Sequence, residues 1–200
     1  MNQQNVLLIF VKNTVKGKVK TRLAKTLGED KALEVYKDLL SYTHKITKDL
    51  SLKKIAYYNE WIAQEDIFHT GNYDKAVQVI GELGVKMKKA FELAFENNAE
   101  NVIIIGSDCP ELTHEIILEA FEALKKHDVV LGPAVDGGYY LLGMSTFLPF
   151  LFDNKEWSTP TVFEATKVDI EKHQLSLYEL PVLSDIDTEK DYHLLKHKLH

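Results

Sequence analysis

Apolar positions along the chain change spacing in a regular order, and each change marks an element. Val6 to Val11 is an unbroken apolar run, as is the β-branched run Val102 to Ile105. Such runs suit buried strands of a sheet covered on both faces. Leu52 to Tyr58, Ala76 to Ile80, Asp128 to Leu131 and Leu175 to Pro181 read as further strands, and a short Tyr and Leu strand lies within 132–143. Between them the apolar residues fall three and four apart. Ala32, Val35, Leu39, Thr43, Ile46 and Leu50 mark one stripe of a helix over Glu29 to Leu50. Leu83, Met87, Ala90, Phe91, Ala94 and Phe95 mark a second, and Ile116, Ile117, Ala120, Phe121 and Leu124 a third. Trp61 to Asp74 and Phe147 to Ala165 follow neither period and read as irregular connections, and the C-terminus reads as a basic, frayed helix. The alternation predicts a single α/β domain over residues 1–200, with a mixed, mostly parallel sheet flanked by helices.

The places where strands stop carry the chemistry. After Ile105 the chain reads Gly106, Ser107, Asp108, Cys109, Pro110, and Thr113 opens the next helix. In open α/β sheets that edge is where ligands are held. Asp108 there can hold a divalent ion against a phosphate; it could also cap the following helix, a place Thr113 fills better. The stretch from Lys12 to Arg22, KNTVKGKVKTR, is the most basic of the chain and contains no acid. A solvated charge run is its plain alternative. It has neither the ending of a P-loop nor the glycines of a dinucleotide fingerprint. Asp136, Gly137 and Gly138 form either a tight turn or an acid presented to a substrate. Tyr139 and Tyr140 alternate, so one at most should face a pocket. Trp157, Ser158 and Thr159 belong over an acceptor or in the core. Cys109 has no evident His and acid beside it and reads as a packing group.

Composition narrows the classes. A net charge of −6 argues against a broad nucleic-acid surface, so no nucleic-acid polymer is expected as partner. One cysteine cannot form an internal disulfide and fits a reducing, cytoplasmic setting. No apolar stretch reaches the ~18 residues of a membrane span. The eight histidines show no paired zinc-binding spacing.

Three blocks, FVKNTVKGKVKTRLA at 10–24, GSDCPELT at 106–113 and GPAVDGGYYLLG at 132–143, are supported by WSTPTVFEAT at 157–166 and DIDTEKDY at 185–192. By these the chain resembles the bacterial domain-of-unknown-function 2064 family. Its members are commonly labelled glycosyltransferases, or transferases associated with radical-SAM and selenium-related proteins. The resemblance runs from Leu8 to Asp191 and implies the GT-A-like fold of the nucleotide-diphospho-sugar transferase superfamily. It implies diphosphate ligands at Lys20 and Arg22, with Lys12, Gly17 and Lys18 beside them. It implies Mg²⁺ or Mn²⁺ held by Asp108 with help from a late acid, Asp187 ahead of Asp185. Asp136 and the following glycines would face the sugar or the acceptor.

Two departures from the family pattern bear on the reaction. Thr14 and Lys16 stand where the first block usually carries prolines, which makes the loop more basic. Ser107, Asp108 and Cys109 offer one acid where many glycosyltransferases of this fold have an Asp-x-Asp pair. The family label implies a metal-dependent transferase with a nucleotide-sugar donor and a small-molecule acceptor. The single acid leans toward nucleotidyl transfer from a nucleoside triphosphate to a phosphorylated acceptor. A catalytically inactive nucleotide-binding domain is the third class. Oligomeric state is not written in the pattern.

Overall fold

The computed structural model describes residues 2–199. Its strands are β1 (Asn2–Val11), β2 (Leu52–Tyr58), β3 (Tyr73–Val77), β4 (Asn101–Ile105), β5 (Val129–Pro133), β6 (Tyr139–Met144) and β7 (Leu177–Glu179). They form one seven-stranded sheet in the order β3-β2-β1-β4-β6-β5-β7. β1 pairs in parallel with β2 and β4, β2 with β3, and β5 with β7. β6 runs antiparallel to both of its neighbours, so it alone is reversed. The mixed, mostly parallel GT-A-like sheet is therefore as the sequence implies.

The helices are α1 (Thr21–Leu27), α2 (Glu29–Thr47), α3 (Leu83–Glu96), α4 (His114–Ala123), α5 (Val162–Lys172) and α6 (Glu189–Leu195). Alternation along the central strands supplies two cores. Leu7, Ile9, Ile103 and Ile105 face Tyr36 and Leu40 of α2 and Ile117 and Phe121 of α4. Val6, Leu8, Val102 and Ile104 face Met87, Ala90, Phe91 and Ala94 of α3 and Ile170 of α5. Both faces of β1 and β4 are thus buried along Val6 to Val11 and Val102 to Ile105, which explains why those runs show no polar position. A third, smaller cluster joins Leu23 of α1, Ala32, Val35 and Leu39 of α2, Leu195 of α6 and Ile186.

Some elements differ from the pattern reading. The third strand is Tyr73–Val77, not Ala76 to Ile80, because its register pairs Lys54 with Tyr73 and Tyr58 with Val77. Ile80 is fully exposed. Helices α1 and α5 have no strong stripe to read: α1 buries only Leu23, and α5 buries Val162, Thr166 and Ile170, with a polar residue in the middle. α5 occupies the end of the region read as irregular and the residues beyond it. Thr113 does cap α4, its hydroxyl accepting from the Ile116 N–H at 3.4 Å.

Gly84 of α3 lets Trp157 lie directly on the helix: a Cβ there would fall 2.1 Å from the indole Nε1. Gly84→Ala should therefore expel the indole, although Ala is otherwise the better helix former by roughly 1 kcal/mol. In a Trp61→Phe background the Trp157 emission should shift to the red. Unchanged emission would show that Trp157 is not held against α3.

Candidate active site at the strand ends

The carboxyl ends of β1 and β4, the start of β6 and the segment after β7 surround a cleft of about 630 Å³. Phe10 with Val11, and Tyr139 with Tyr140, all line it. Consecutive strand residues point to opposite faces, so the cleft straddles the sheet edge and opens on both. This corrects the expectation that at most one of Tyr139 and Tyr140 could border a pocket.

Lys20 sits at its centre. It precedes α1 with φ 44° and ψ 49°, a left-handed conformation that costs a non-glycine residue roughly 1–3 kcal/mol. Its side chain is only 6% exposed, and its Nζ lies 3.2 Å from Asp108 Oδ2 and 2.9 Å from Asp187 Oδ1. Arg22 Nη1 reaches Asp187 Oδ2 at 3.4 Å from a largely exposed position. Burial alone would lower the Lys20 pKa, but Asp108 and Asp187 outweigh it and hold the ammonium charged. At Asp187 burial raises the pKa, and Lys20, Arg22 and Lys12 together bring it below the ordinary value.

Local structure explains how acids so distant in sequence meet. Asp108 lies in the turn that follows β4, after Gly106 and Ser107. Asp185 and Asp187 flank Ile186, which is fully buried in the cluster of α1, α2 and α6. In extended chain that burial turns both acids toward the opposite side. The Ile186 N–H donates to the Asp108 carbonyl at 3.0 Å, fastening the late segment to the β4 turn. Thr188 and Asp191 then start α6 with a reciprocal cap.

Carboxylate oxygens of Asp108, Asp185 and Asp187 lie within 4.8 Å of one another. Burial, then Asp108, Asp187 and Asp136, push the Asp185 carboxyl up to about 7, with Lys20 only partly offsetting them. Three clustered carboxylates near one buried ammonium form an oxygen-donor set with negative charge to spare. That set can coordinate Mg²⁺ or Mn²⁺. Asp185 joins the expected Asp108 and Asp187 in it.

Lys12, Asp136, Trp157, Ser158 and Thr159 also line the cleft. Gly17 and Lys18, expected beside the phosphates, lie outside its lining. The positive φ of Gly17 serves a turn closed by the Lys18 N–H donating to the Val15 carbonyl, and Lys18 pairs with Glu60 at 3.2 Å. Cys109 is buried, donates to the Ser184 carbonyl at 3.5 Å, and has its thiol pushed up to about 12 by burial, as suits a packing group. The sequence did not single out Tyr36. Its hydroxyl accepts from the Lys12 N–H at 2.6 Å and stands 3.3 Å from Ser107 Oγ, tying the basic loop to the acid turn. Nothing in an amphipathic helix stripe distinguishes such a tyrosine. Lys86, Asn59 and Gln78 line the cleft as well and carried no motif signal.

Residues 44–159 match the pattern of a family described as an uncharacterized protein conserved in bacteria, domain of unknown function 2064. The chain belongs to this family. A solved structure from Desulfovibrio desulfuricans G20, provisionally assigned as a nucleotide-diphospho-sugar transferase, is similar with a TM-score of 0.87 and 32% identity. The similarity covers 93% of this family member and 83% of that chain. The 4-diphosphocytidyl-2C-methyl-D-erythritol synthase of Anaerococcus prevotii DSM 20548 shares the fold, with a TM-score of 0.61 and 12% identity over 98% and 96% of the two chains. A 2-phospho-L-lactate guanylyltransferase of Methanocaldococcus sp. strain FS406-22 is 27% identical over 125 residues. That match spans 62% of this family member and about half, 52%, of the curated relative.

The raised Asp185 pKa has a consequence for stability. A carboxyl at about 7 in the folded chain and near 3.8 in the unfolded one binds more protons when folded between those values. Its stabilising contribution is complete below about pH 4 and is lost as pH rises through 7. With chelator present, Asp185→Asn should therefore be more stable than the parent at pH 8, and the gap should close near pH 4. Urea denaturation at both values measures it. A gap independent of pH would show that Asp185 ionises normally.

Proposed function

We propose that this chain is a nucleotidyltransferase that couples a nucleoside triphosphate to a small phosphorylated acceptor. One observation carries the reading: the acid cluster is completed by Asp185 and Asp187 from a late segment, not by a second acid beside Asp108. The guanylyltransferase relative, whose name specifies a phosphorylated acceptor, supports it.

Lys12, Lys20 and Arg22 would receive the triphosphate. Asp108, Asp185 and Asp187 would hold Mg²⁺ or Mn²⁺, which when bound adds positive charge against the phosphate oxygens. An acceptor phosphate oxygen attacks the α-phosphorus. The bond from that phosphorus to the α,β-bridging oxygen breaks, and pyrophosphate leaves with the electron pair. A phosphomonoester has its second pKa near 6, so its oxygen arrives ionised and no residue need remove a proton. Lys20, fixed by its two carboxylates, and Arg22 offset the charge that grows on the leaving group. Lys20 needs little rearrangement because burial and ion pairing already orient it.

Sugar transfer from a nucleotide sugar is the second reading, favoured by the 32% identical solved structure and its assignment. A donor screen with Mg²⁺ separates the two. The four nucleoside triphosphates and a set of sugar nucleotides are each offered mixed hydroxyl and phosphorylated acceptors, with products followed by mass spectrometry. Acceptor-dependent pyrophosphate release is the expected result. Lys20→Ala should lower it about 10- to 100-fold, as for the loss of a charged hydrogen bond worth roughly 1.5–3 kcal/mol. Release of a nucleoside diphosphate with a glycosylated product would overturn the proposal. Nucleotide binding without turnover would point to the inactive binding domain.

A further inference from the structure

The side chains that line the cleft divide by segment. Its basic side chains, Lys12, Lys20, Arg22 and Lys86, come from the segments after β1 and from α3. A second set comes from the β5–β6 turn and the segment before α5. It presents Asp136, Gly138, Tyr139, Trp157, Ser158 and Thr159 and, among the described lining residues, no cation. Asp136 lies outside the three-acid cluster, although its charge acts on Asp185. Its Oδ1 accepts from the Gly138 N–H at 2.9 Å, which fixes the carboxylate in the turn, and it forms no ion pair among the described residues. Trp157, backed by Gly84 and set edge-on to Tyr139 with ring centroids 6.4 Å apart, supplies an apolar wall.

From this division we infer that the acceptor's remote end, away from its reacting phosphate, carries hydroxyl groups and no negative charge: a phosphorylated polyol, not a phosphorylated carboxylic acid. The inference rests on the nucleotidyl-transfer reading for which end reacts. Hydroxyls can donate to Asp136 and exchange hydrogen bonds with Ser158 and Thr159. The carbon backbone of a polyol has an apolar side for Trp157. A carboxylate in the same space meets the charge of Asp136, which no ion pair among the described residues offsets. Like charges a few ångströms apart in a partly desolvated cleft cost roughly tenfold or more in affinity.

Glycerol 3-phosphate and 3-phosphoglycerate differ at that end by a hydroxymethyl group against a carboxylate. Titration calorimetry would compare them on full-length protein saturated with Mg²⁺ and, in turn, the α,β-methylene analogues of the four triphosphates, which cannot transfer. Glycerol 3-phosphate should bind at least tenfold tighter in the best nucleotide complex. Asp136→Asn keeps an oxygen for the Gly138 N–H and should narrow the gap to less than threefold. Equal or tighter binding of 3-phosphoglycerate, binding of neither, or an unchanged gap in Asp136→Asn would overturn the inference. Pyrophosphate release from the natural triphosphates reports separately on the reaction. Its absence with the preference intact would retire nucleotidyl transfer and leave the acceptor preference standing.

Discussion

The buried ammonium of Lys20 is the interaction on which the cleft depends. Asp108 and Asp187 are contributed by segments far apart in the chain, and each would be repelled by the other and by Asp185 without a cation between them. Lys20 supplies it from a left-handed residue just before α1. The arrangement is held from behind. Leu23 of α1 and Ile186 share a small apolar cluster with α2 and α6, so packing on one side of the backbone positions charge on the other. Lys20 is itself almost fully buried, so its attraction to the partly exposed acids is screened less than in a surface pair, and removing it leaves those acids uncompensated.

Much of the fold was legible because β1, β4, α2, α3 and α4 bury long, regular apolar patterns. The missed helices show the limit of that signal. α1 is short and buries one residue, and α5 buries Thr166 where a hydrophobe would have completed a stripe. The shift of β3 has a related cause. Its residues are only partly buried, so side-chain pattern does not fix its position, and backbone pairing with β2 does.

The candidate site was legible where charge broke a local rule. Asp108 closes the short turn after an apolar strand, and Lys20 and Arg22 lie in an acid-free stretch. Asp185 ranked behind Asp187 in one dimension because nothing in the string shows that buried Ile186 turns both acids the same way. Gly17 and Lys18 share the basic stretch with Lys20 but turn outward, a consequence of the tight turn at Val15 to Lys18. Tyr36 was hidden for the opposite reason: it satisfies an ordinary helix stripe while its hydroxyl secures two loops of the cleft.

That clustered acids and a fixed cation should face a nucleotide follows from their chemistry, and the convergence of the three acids on one ion is the point most open to direct measurement. Mn²⁺ uptake followed by electron paramagnetic resonance, with and without a nucleoside triphosphate, would be compared in the parent, Asp108→Asn and the Asp185→Asn/Asp187→Asn pair. Expected are saturable Mn²⁺ binding tightened by triphosphate in the parent, and affinity at least tenfold weaker in both variants. Equal Mn²⁺ affinity in all three proteins, with or without triphosphate, would contradict a shared site at the three carboxylates.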